Sequence, residues 1–167
     1  MDIILRKWSN NDLDSLIENA NNKNVTTYLR DCFPSPYTLA DGKAFISFCT
    51  KAQQTTNYAI VLKDNAIGNI SLEIGTDIKQ RSAELGYWIG EQYWNKGYTT
   101  VALQQIIQIA KTTSVRRLFA EVIEENIASI RILEKCGFKQ EGYFSESIYK
   151  NGKYYNSYIY ALLLNAD

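Results

Sequence analysis

In the centre of the chain the hydrophobic pattern alternates between the two-residue period of a strand and the 3.6-residue period of a helix. The resulting order of strands and helices restricts the possible folds. Residues 82–89 alternate apolar and polar side chains, which predicts a strand, and residues 99–113 place apolar side chains on one helical stripe. Residues 117–123 predict another strand and residues 128–136 another helix. This order predicts an α/β (α+β) domain with a mixed sheet, in which helix 99–113 crosses over between two parallel strands.

The N-terminal third of the chain predicts one strand followed by helices. Residues 3–8 have the composition of a strand, and residues 10–21 predict a helix capped by an asparagine. Residues 25–53 predict mostly helical structure, which the sequence FPSP at residues 33–36 interrupts. A further helix is expected to start near Asp41.

Two hairpins are predicted on either side of the centre. Residues 58–62 form a short strand, and KDNA at residues 63–66 makes a turn into a strand whose apolar face includes residues 70, 72 and 74. Near the C-terminus, Asn151 and Gly152 join two tyrosine-rich strands. An Asn-Gly pair between such strands is a strong signal for a two-residue hairpin turn.

Size and charge indicate one domain without a strongly charged partner. A chain of 167 residues, with 46% hydrophobic and 22% charged residues, predicts a single globular domain over residues 1–167. The formal net charge is zero, so no overall field favours nucleic acid or an anionic membrane. No apolar run approaches the roughly 20 residues of a membrane span, and the N-terminus turns polar too early for a signal peptide.

Histidine and cysteine restrict the chemistry further. Histidine is absent, which excludes a Ser-His-Asp triad and a histidine metal site, and we expect no metal. Acid–base steps must therefore use carboxylates, tyrosine, lysine, cysteine or water. Cys32, Cys49 and Cys136 are odd in number and lack disulfide or metal spacing, which favours the reducing cytoplasm.

A glycine stands where the strand at residues 82–89 gives way to the next helix, within the sequence EQYWNKGYTTVALQQ. The N-terminus of a helix has unpaired N–H groups and a partial positive charge, so a turn there suits a pyrophosphate. Gly97 permits close backbone approach, Thr99 and Thr100 offer hydroxyls, and Lys96 adds a cation. The residues alone leave both a plain loop cap and an anion site open. Neither a Walker P-loop nor a GxGxxG fingerprint is present.

A second cluster, EENIASIRILEKCGF at residues 124–138, follows the next strand. Asn126 stands where a helix N-cap is expected, and Gly137 where a C-terminal cap is expected. Ser129 aligns with Leu133 and Cys136 at helical spacing, so we expect it to face inward. Capping and packing explain Asn126 and Ser129 as well as ligand binding does.

Together, LGYWIGEQYWNKGYTTVAL, ENIASIRILEKCGF and EGYF resemble the GNAT superfamily of acetyl-CoA-dependent N-acetyltransferases. More narrowly, they are similar to the branch that acetylates N-termini of ribosomal proteins, as is the opening LRKWSNNDLDSL. The resemblance covers nearly the whole chain and is strongest over residues 82–144. It implies a single domain with splayed strands around the cofactor and acetyl-CoA as cosubstrate.

The resemblance also implies roles for single residues. The backbone near Trp88 and Ile89 would pair with the pantetheine arm of CoA, which Asn126 would also bind. Ser129 matches a further cofactor-side position. The loop around Gly97 would wrap the pyrophosphate with its amides, and its candidate contacts are Asn95, Lys96, Gly97, Tyr98, Thr99 and Thr100.

Five positions depart from the superfamily pattern. Trp94 replaces Gln or Arg, as is common in this branch, and Asn95 stands where relatives usually have glycine. Thr99 replaces a smaller residue, and Val101 stands where relatives often have glutamate. Leu133 occupies the position of a tyrosine that protonates the departing thiolate in many members, and a leucine side chain has no proton to give. Thr99, Val101 and Leu133 motivate an alternative function, a non-catalytic acyl-CoA-binding sensor or interaction module.

Acetyl transfer to an amine requires a base for the ammonium and a donor for the developing oxyanion. Glu84 is the first candidate base, because it lies on the polar face of strand 82–89, and Glu73 is the second. Ser129 is a candidate proton donor to the thiolate, with Tyr87 as a weaker alternative. We expect direct transfer in a ternary complex, to a protein N-terminus or a small amine, by a monomer or homodimer.

Overall fold

The structure is a computed structural model that describes residues 2–54 and 56–164 of the chain. Within these ranges it contains seven strands and five α-helices, besides short 3-10 turns. The strands are β1 (Ile3–Arg6), β2 (Asn57–Leu62), β3 (Asn65–Ile74), β4 (Ser82–Ile89), β5 (Arg117–Ile123), β6 (Lys139–Lys150) and β7 (Lys153–Leu163). The helices are α1 (Leu13–Ala20), α2 (Lys23–Thr26), α3 (Leu39–Lys51), α4 (Tyr98–Lys111) and α5 (Ile127–Lys135).

The strands belong to one mixed sheet with the order β1-β2-β3-β4-β5-β7-β6. β4 and β5 are parallel, with Ser82 opposite Arg117, whereas β7 is antiparallel to both β5 and β6. This confirms the predicted mixed sheet with α4 as the crossover between two parallel strands. By its contacts the chain divides into two compact units. The first contains residues up to Leu72 and Gly86–Ile106, and the second contains Glu73–Leu85 and the residues from Ile107 on.

One hydrophobic cluster organises the first unit. α1 contributes Leu16 and Ala20, which are four residues apart and therefore lie on one face of the helix. The ring of Trp8 meets that of Phe45 edge-on, and its indole N–H donates to Asn69 Oδ1 at 2.9 Å, so its polar atom is satisfied in the core. The buried members of the cluster are Trp8, Leu16, Ala20, Tyr37, Ile46, Ala59, Val61 and Ala66.

Trp88 of β4 is packed through its side chain. Its ring lies against the hydrophobic cluster, 5.5 Å from the ring of Phe33. A strand inside a sheet buries side chains on both faces, so period two does not separate core from solvent there. Trp88 is therefore a packing residue through its side chain.

The predicted helical segment at residues 25–53 is only partly helical. α2 ends at Thr26, and α3 does not begin until Leu39, so the prediction is wrong for residues 27–32, whereas the interruption at residues 33–36 is confirmed. Thr38 caps α3 in a capping box, in which its N–H donates to Asp41 Oδ2 at 2.8 Å. The capping box explains why α3 begins two residues before the expected start near Asp41.

Turn chemistry shapes the second unit as predicted. Gly137 has a φ of 88° and ends α5 in a Schellman motif, in which the N–H of Phe138 donates to the Leu133 carbonyl at 3.1 Å. Asn151 and Gly152, with φ of 51° and 78°, make the two-residue turn between β6 and β7. Both sequence signals are confirmed.

A bulge interrupts the pairing of β6 with β7. Phe144 is opposite Ser157 and Ile148 is opposite Tyr155, so β6 carries extra residues between these two pairs. Two consecutive β7 residues hold the bulge. Asn156 Oδ1 accepts from the N–H of Glu146 at 2.9 Å, and the hydroxyls of Ser157 and Ser147 lie 2.7 Å apart. The bulge is therefore fixed by side chains of β7.

Candidate functional site

The loop before α4 contains two residues with left-handed backbone conformations. Asn95 and Gly97 both take left-handed conformations, with φ of 58° and 79°, which asparagine and glycine tolerate best. The Gly97 carbonyl accepts the first helical hydrogen bond, from the N–H of Val101 at 3.2 Å. The amides of residues 98–100 therefore belong to the first turn, where a helix has no carbonyl partners of its own for them. The first turn of α4 contains no acidic residue.

Lys96 lies in the same loop, but its ammonium group is bound within it. Lys96 Nζ donates to the Gln92 carbonyl at 2.7 Å and lies 5.9 Å from the centre of the Tyr93 ring. Both contacts tie Lys96 to the turn that precedes it. The ammonium group has three N–H donors and uses one of them for the Gln92 carbonyl.

The first turn of α4 is more covered than the loop. Thr100 is buried, at 9% exposure, and Thr99 and Val101 are half-buried, whereas residues 94–97 are exposed. The hydroxyl of Thr100 is thus less accessible than its position in the sequence implied. The backbone of the turn, rather than its threonine hydroxyls, is the more accessible part of this element.

At the end of β4, successive residues direct their backbone N–H and C=O groups to opposite edges of the strand. The N–H of Gly90 donates to the Ile67 carbonyl of β3 at 2.8 Å, and the Trp88 carbonyl lies so close to Gly68 that a Cβ there would be 2.2 Å away. Because successive residues of a strand point to opposite edges, Ile89 directs its N–H and C=O away from β3. The indole N–H of Trp94 donates to the Ile89 carbonyl at 2.9 Å.

Asn126 caps α5, as its sequence position predicted. Its side-chain Oδ1 accepts from the backbone N–H of Ser129 at 3.2 Å, and its own N–H donates to the Ile123 carbonyl at 2.8 Å. Ser129 is half-buried, whereas Leu133, one turn further along, is fully buried at 0% exposure. Of the residues aligned with Ser129 on α5, Leu133 most clearly faces the protein interior, as expected for this side of the helix.

The candidate bases differ in exposure. Glu84 is half-buried in β4 opposite Phe119 of β5, whereas Glu73 is exposed at the end of β3, and Tyr87 is half-buried. Glu84 and Asn126 belong to the second unit together with Ser129. The loop at residues 94–100 and the end of β4 belong to the first unit.

A carboxylate that the motifs did not identify lies between β5 and α5. Glu124 Oε2 accepts from Asn156 Nδ2 at 2.8 Å, and Glu124 Oε1 accepts from the Tyr158 hydroxyl at 2.9 Å. These hydrogen bonds lower the pKa of Glu124, and the same contact with Glu124 is the first cause that raises the pKa of Tyr158. The one sequence signal for Glu124 was its place in EENIAS, two residues before Asn126.

Metal sites, reactive thiols and membrane-spanning helices each have structural requirements, against which the described residues can be compared. Within residues 2–54 and 56–164, no group of three or more His, Cys, Asp or Glu side chains is placed to hold a metal ion. The three cysteines are free thiols, and burial raises the pKa of Cys49 to about 11. None of the helices in the described part of the chain has the length and apolar character needed to cross a membrane.

Comparison with known proteins gives one consistent result. A family model described as an acetyltransferase (GNAT) domain matches residues 2–139. The chain is 28% identical over 164 residues to the uncharacterized N-acetyltransferase YnaD of Bacillus subtilis (strain 168), which covers 96% of this chain and 93% of that protein. It is 26% identical over 156 residues to the spermidine N(1)-acetyltransferase of Vibrio cholerae serotype O1, with 91% and 87% covered.

The fold also matches a solved structure. RimL, the ribosomal L7/L12 alpha-N-protein acetyltransferase solved in complex with coenzyme A, superposes with a TM-score of 0.87. The match covers 99% of this chain and 96% of that chain at 22% sequence identity, so it is a likeness of fold. In fold, the predicted resemblance to the ribosomal-protein branch is confirmed.

Proposed function

The chain belongs to the GNAT family of N-acetyltransferases, which use acetyl-CoA as cosubstrate, and we propose that it acetylates a primary amine by direct transfer in a ternary complex. The observation that carries this proposal is the paired left-handed geometry of Asn95 and Gly97 directly before α4. That geometry turns the chain so that consecutive amides of a helix N-terminus face one place, as a pyrophosphate requires.

The residues present fit the cosubstrate at three places. The amides of residues 97–100 would bind the pyrophosphate, where no first-turn carboxylate repels it. The N–H of Ile89, on the edge of β4 away from β3, would pair with the pantetheine arm, a role for which Trp88 is less suited because its carbonyl faces Gly68. Asn126 would donate its side-chain NH₂, since its oxygen already caps α5.

The acyl donor supplies a thioester, and the side chains of the protein must move protons around it. Glu84 is proposed to take a proton from the acceptor ammonium, directly or through water, because only the neutral amine is nucleophilic. The carbon–nitrogen bond then forms and the carbon–sulfur bond breaks, and the charge that develops on the carbonyl oxygen requires a hydrogen-bond donor. The nitrogen must lose one more proton as the amide forms, and Ser129 is proposed to take up this proton through water as it passes its own to the leaving sulfur, because Leu133 has none to give.

The acceptor is proposed to be a protein N-terminus or a small amine. Relatives of both kinds support this, since one relative is the spermidine N(1)-acetyltransferase of Vibrio cholerae and one structural neighbour is a ribosomal-protein acetyltransferase. The cytoplasm remains the predicted location, supported by three free cysteines. We propose a monomer or homodimer as the working form.

The alternative is a non-catalytic module that binds acyl-CoA without transferring the acetyl group. Leu133 favours it, because a leucine cannot protonate a thiolate as the tyrosine at that position does in many members of the superfamily. Thiol release from acetyl-CoA, followed with a panel of peptides, aminoglycosides, polyamines and amino acids, separates the two. Release that depends on an amine supports transfer. Binding of acetyl-CoA without amine-dependent release supports the module instead.

A further inference from the structure

Glu124 has an unusual set of neighbours for a carboxylate near the surface. Both of its oxygens accept hydrogen bonds from β7, one from the Asn156 amide at 2.8 Å and one from the Tyr158 hydroxyl at 2.9 Å. Its backbone N–H also donates to the Asn156 carbonyl at 3.0 Å. The carboxylate is thus held in one orientation, by donors that carry no charge.

The neighbouring residue Glu125 has a basic partner instead and pairs with Lys153 at 2.6 Å. In the described part of the chain, the side-chain contacts of Glu124 are with the neutral Asn156 and Tyr158. Among the described residues, therefore, no lysine or arginine forms a salt bridge with Glu124, which is half-buried.

Aromatic rings stand beside this carboxylate. The ring of Tyr158 lies 5.5 Å from that of Tyr143, which is 50% exposed, and 6.3 Å from that of Tyr160. The faces of tyrosine rings attract ammonium groups, and the combination of ring faces with a fixed carboxylate is a common way to bind them. The scaffold is rigid, because Asn156 also accepts from the N–H of Glu146 in the β6 bulge.

We propose that Glu124, beside the rings of Tyr143 and Tyr158, binds a second, non-reacting ammonium group of the acceptor, which is therefore a small diamine or polyamine. This proposal rests on the proposed acetyl transfer. The reacting nitrogen must be neutral when it attacks, so a permanently charged carboxylate serves a different amino group of the same molecule. The hydrogen bonds that lower the pKa of Glu124 keep it ionised throughout the range in which an amine is acetylated.

Two acceptors that differ by one amino group test this directly. Cadaverine and pentylamine have the same carbon chain, and only cadaverine carries a second ammonium. At saturating acetyl-CoA we expect wild-type kcat/KM to favour cadaverine by about tenfold or more, mostly through KM, since one well-placed charge pair in a partly desolvated site has an energy of that order. Glu124→Gln preserves size and removes the charge, so the preference should fall to about one- to twofold.

Two further variants complete the design. Glu125→Gln removes the neighbouring carboxylate, which is already paired with Lys153, and should leave the cadaverine preference intact. Tyr158→Phe keeps the ring and removes one donor to Glu124, so it should raise the KM for cadaverine and reduce the preference, less strongly than Glu124→Gln does. Thermal melting of each variant verifies that it is folded.

Calorimetric titration of cadaverine into the CoA-bound enzyme gives a readout that does not require turnover. We expect saturable binding for the wild type and for Glu125→Gln, and weakened binding for Glu124→Gln. The inference is overturned if wild type shows no preference for cadaverine, if Glu124→Gln keeps the preference, or if cadaverine does not bind at all. Failure of acetyl-CoA to bind would instead overturn the proposed function, so the two failures are distinguishable.

Discussion

Asn126 Oδ1 accepts a hydrogen bond from the backbone N–H of Ser129 at 3.2 Å, so one proposed cofactor residue holds the other in place. The bond fixes the first turn of α5 and with it the position of the Ser129 side chain. Asn126 uses only its oxygen for this, and a carboxamide also has an NH₂ group to donate. The capping role and the cofactor role of Asn126 are therefore compatible, and a substitution can separate them.

Replacing Asn126 with alanine should weaken acetyl-CoA binding more than it destabilises the fold. Loss of an N-cap costs about 1 kcal/mol of unfolding free energy. Thr38→Ala is the matched control, because Thr38 caps α3 in the same way and has no proposed contact with the cosubstrate. Urea unfolding should give similar losses for both variants, whereas calorimetry should show a raised Kd for acetyl-CoA only with Asn126→Ala. Equal Kd values in the two variants would leave Asn126 as a cap and nothing more.

Gly97→Ala should reduce both stability and acetyl-CoA affinity. The left-handed φ of 79° disfavours any Cβ, which costs about 1–2 kcal/mol. Gly152→Ala is a close control, because Gly152 has a φ of 78° and open space around its Cβ position. Both variants should lose similar stability in denaturant, but only Gly97→Ala should raise the Kd for acetyl-CoA. If Gly152→Ala raised it equally, the effect would be one of general stability.

Glu84→Gln should lower kcat and flatten the acidic limb of the pH–rate profile. A base that must be ionised to act gives that limb, and glutamine cannot titrate. Glu73→Gln provides the comparison, since Glu73 is an exposed carboxylate at the end of the neighbouring strand. If the pH–rate profile of Glu84→Gln coincides with that of the wild type, Glu84 is not the base. If only Glu73→Gln loses the acidic limb of the profile, Glu73 is the base instead.

Asp12 should make stability depend on pH in a defined direction. Burial by itself raises the pKa of Asp12, but hydrogen bonds from Arg6 and Ser9 outweigh it and the pKa is lowered. A lowered folded-state pKa contributes stability above the unfolded value of 3.8, and that contribution is lost as pH falls through the folded value. Asp12→Asn should cost about 1.5–3 kcal/mol near neutral pH, the range for a charged hydrogen bond.

Urea unfolding of the wild type and of Asp12→Asn at about pH 7 and about pH 3 measures this contribution. The difference in unfolding free energy between the two proteins should shrink at the lower pH, because below the unfolded pKa of 3.8 the unfolded wild type gains a proton at Asp12 that the folded state disfavours. A difference that stayed constant with pH would mean that the Arg6–Asp12 pair adds no charge-dependent stability.

Strand positions near the centre were predictable because the hydrophobic period there is strong. The bounds of β4 and β5 agree with the predicted strands, and the turns at Gly137 and at Asn151-Gly152 follow from residues that tolerate positive φ. The resemblance to a family extended this to the whole sheet. Local signals of this kind act over a few residues, which is why the sequence displays them directly.

Features that depend on contacts between distant residues were not predictable. Trp88 faces the hydrophobic cluster because Phe33, far away in the chain, packs against it. The importance of Glu124 depends on the register of β5 with β7, which places Asn156 and Tyr158 beside it. Trp94 departs from the superfamily pattern, and its hydrogen bond to the Ile89 carbonyl depends on a contact that the sequence does not display. For Val101 the structure offers no comparable contact.

Initial-rate kinetics of thiol release, with acetyl-CoA and an accepted amine varied together, test the central claim most directly. Direct transfer in a ternary complex predicts release that requires the amine, with double-reciprocal lines that intersect and with acetylated amine formed in equal amount. Release without dependence on any amine, or no release from a protein that still binds acetyl-CoA, would contradict transfer. Parallel lines would contradict the ternary complex.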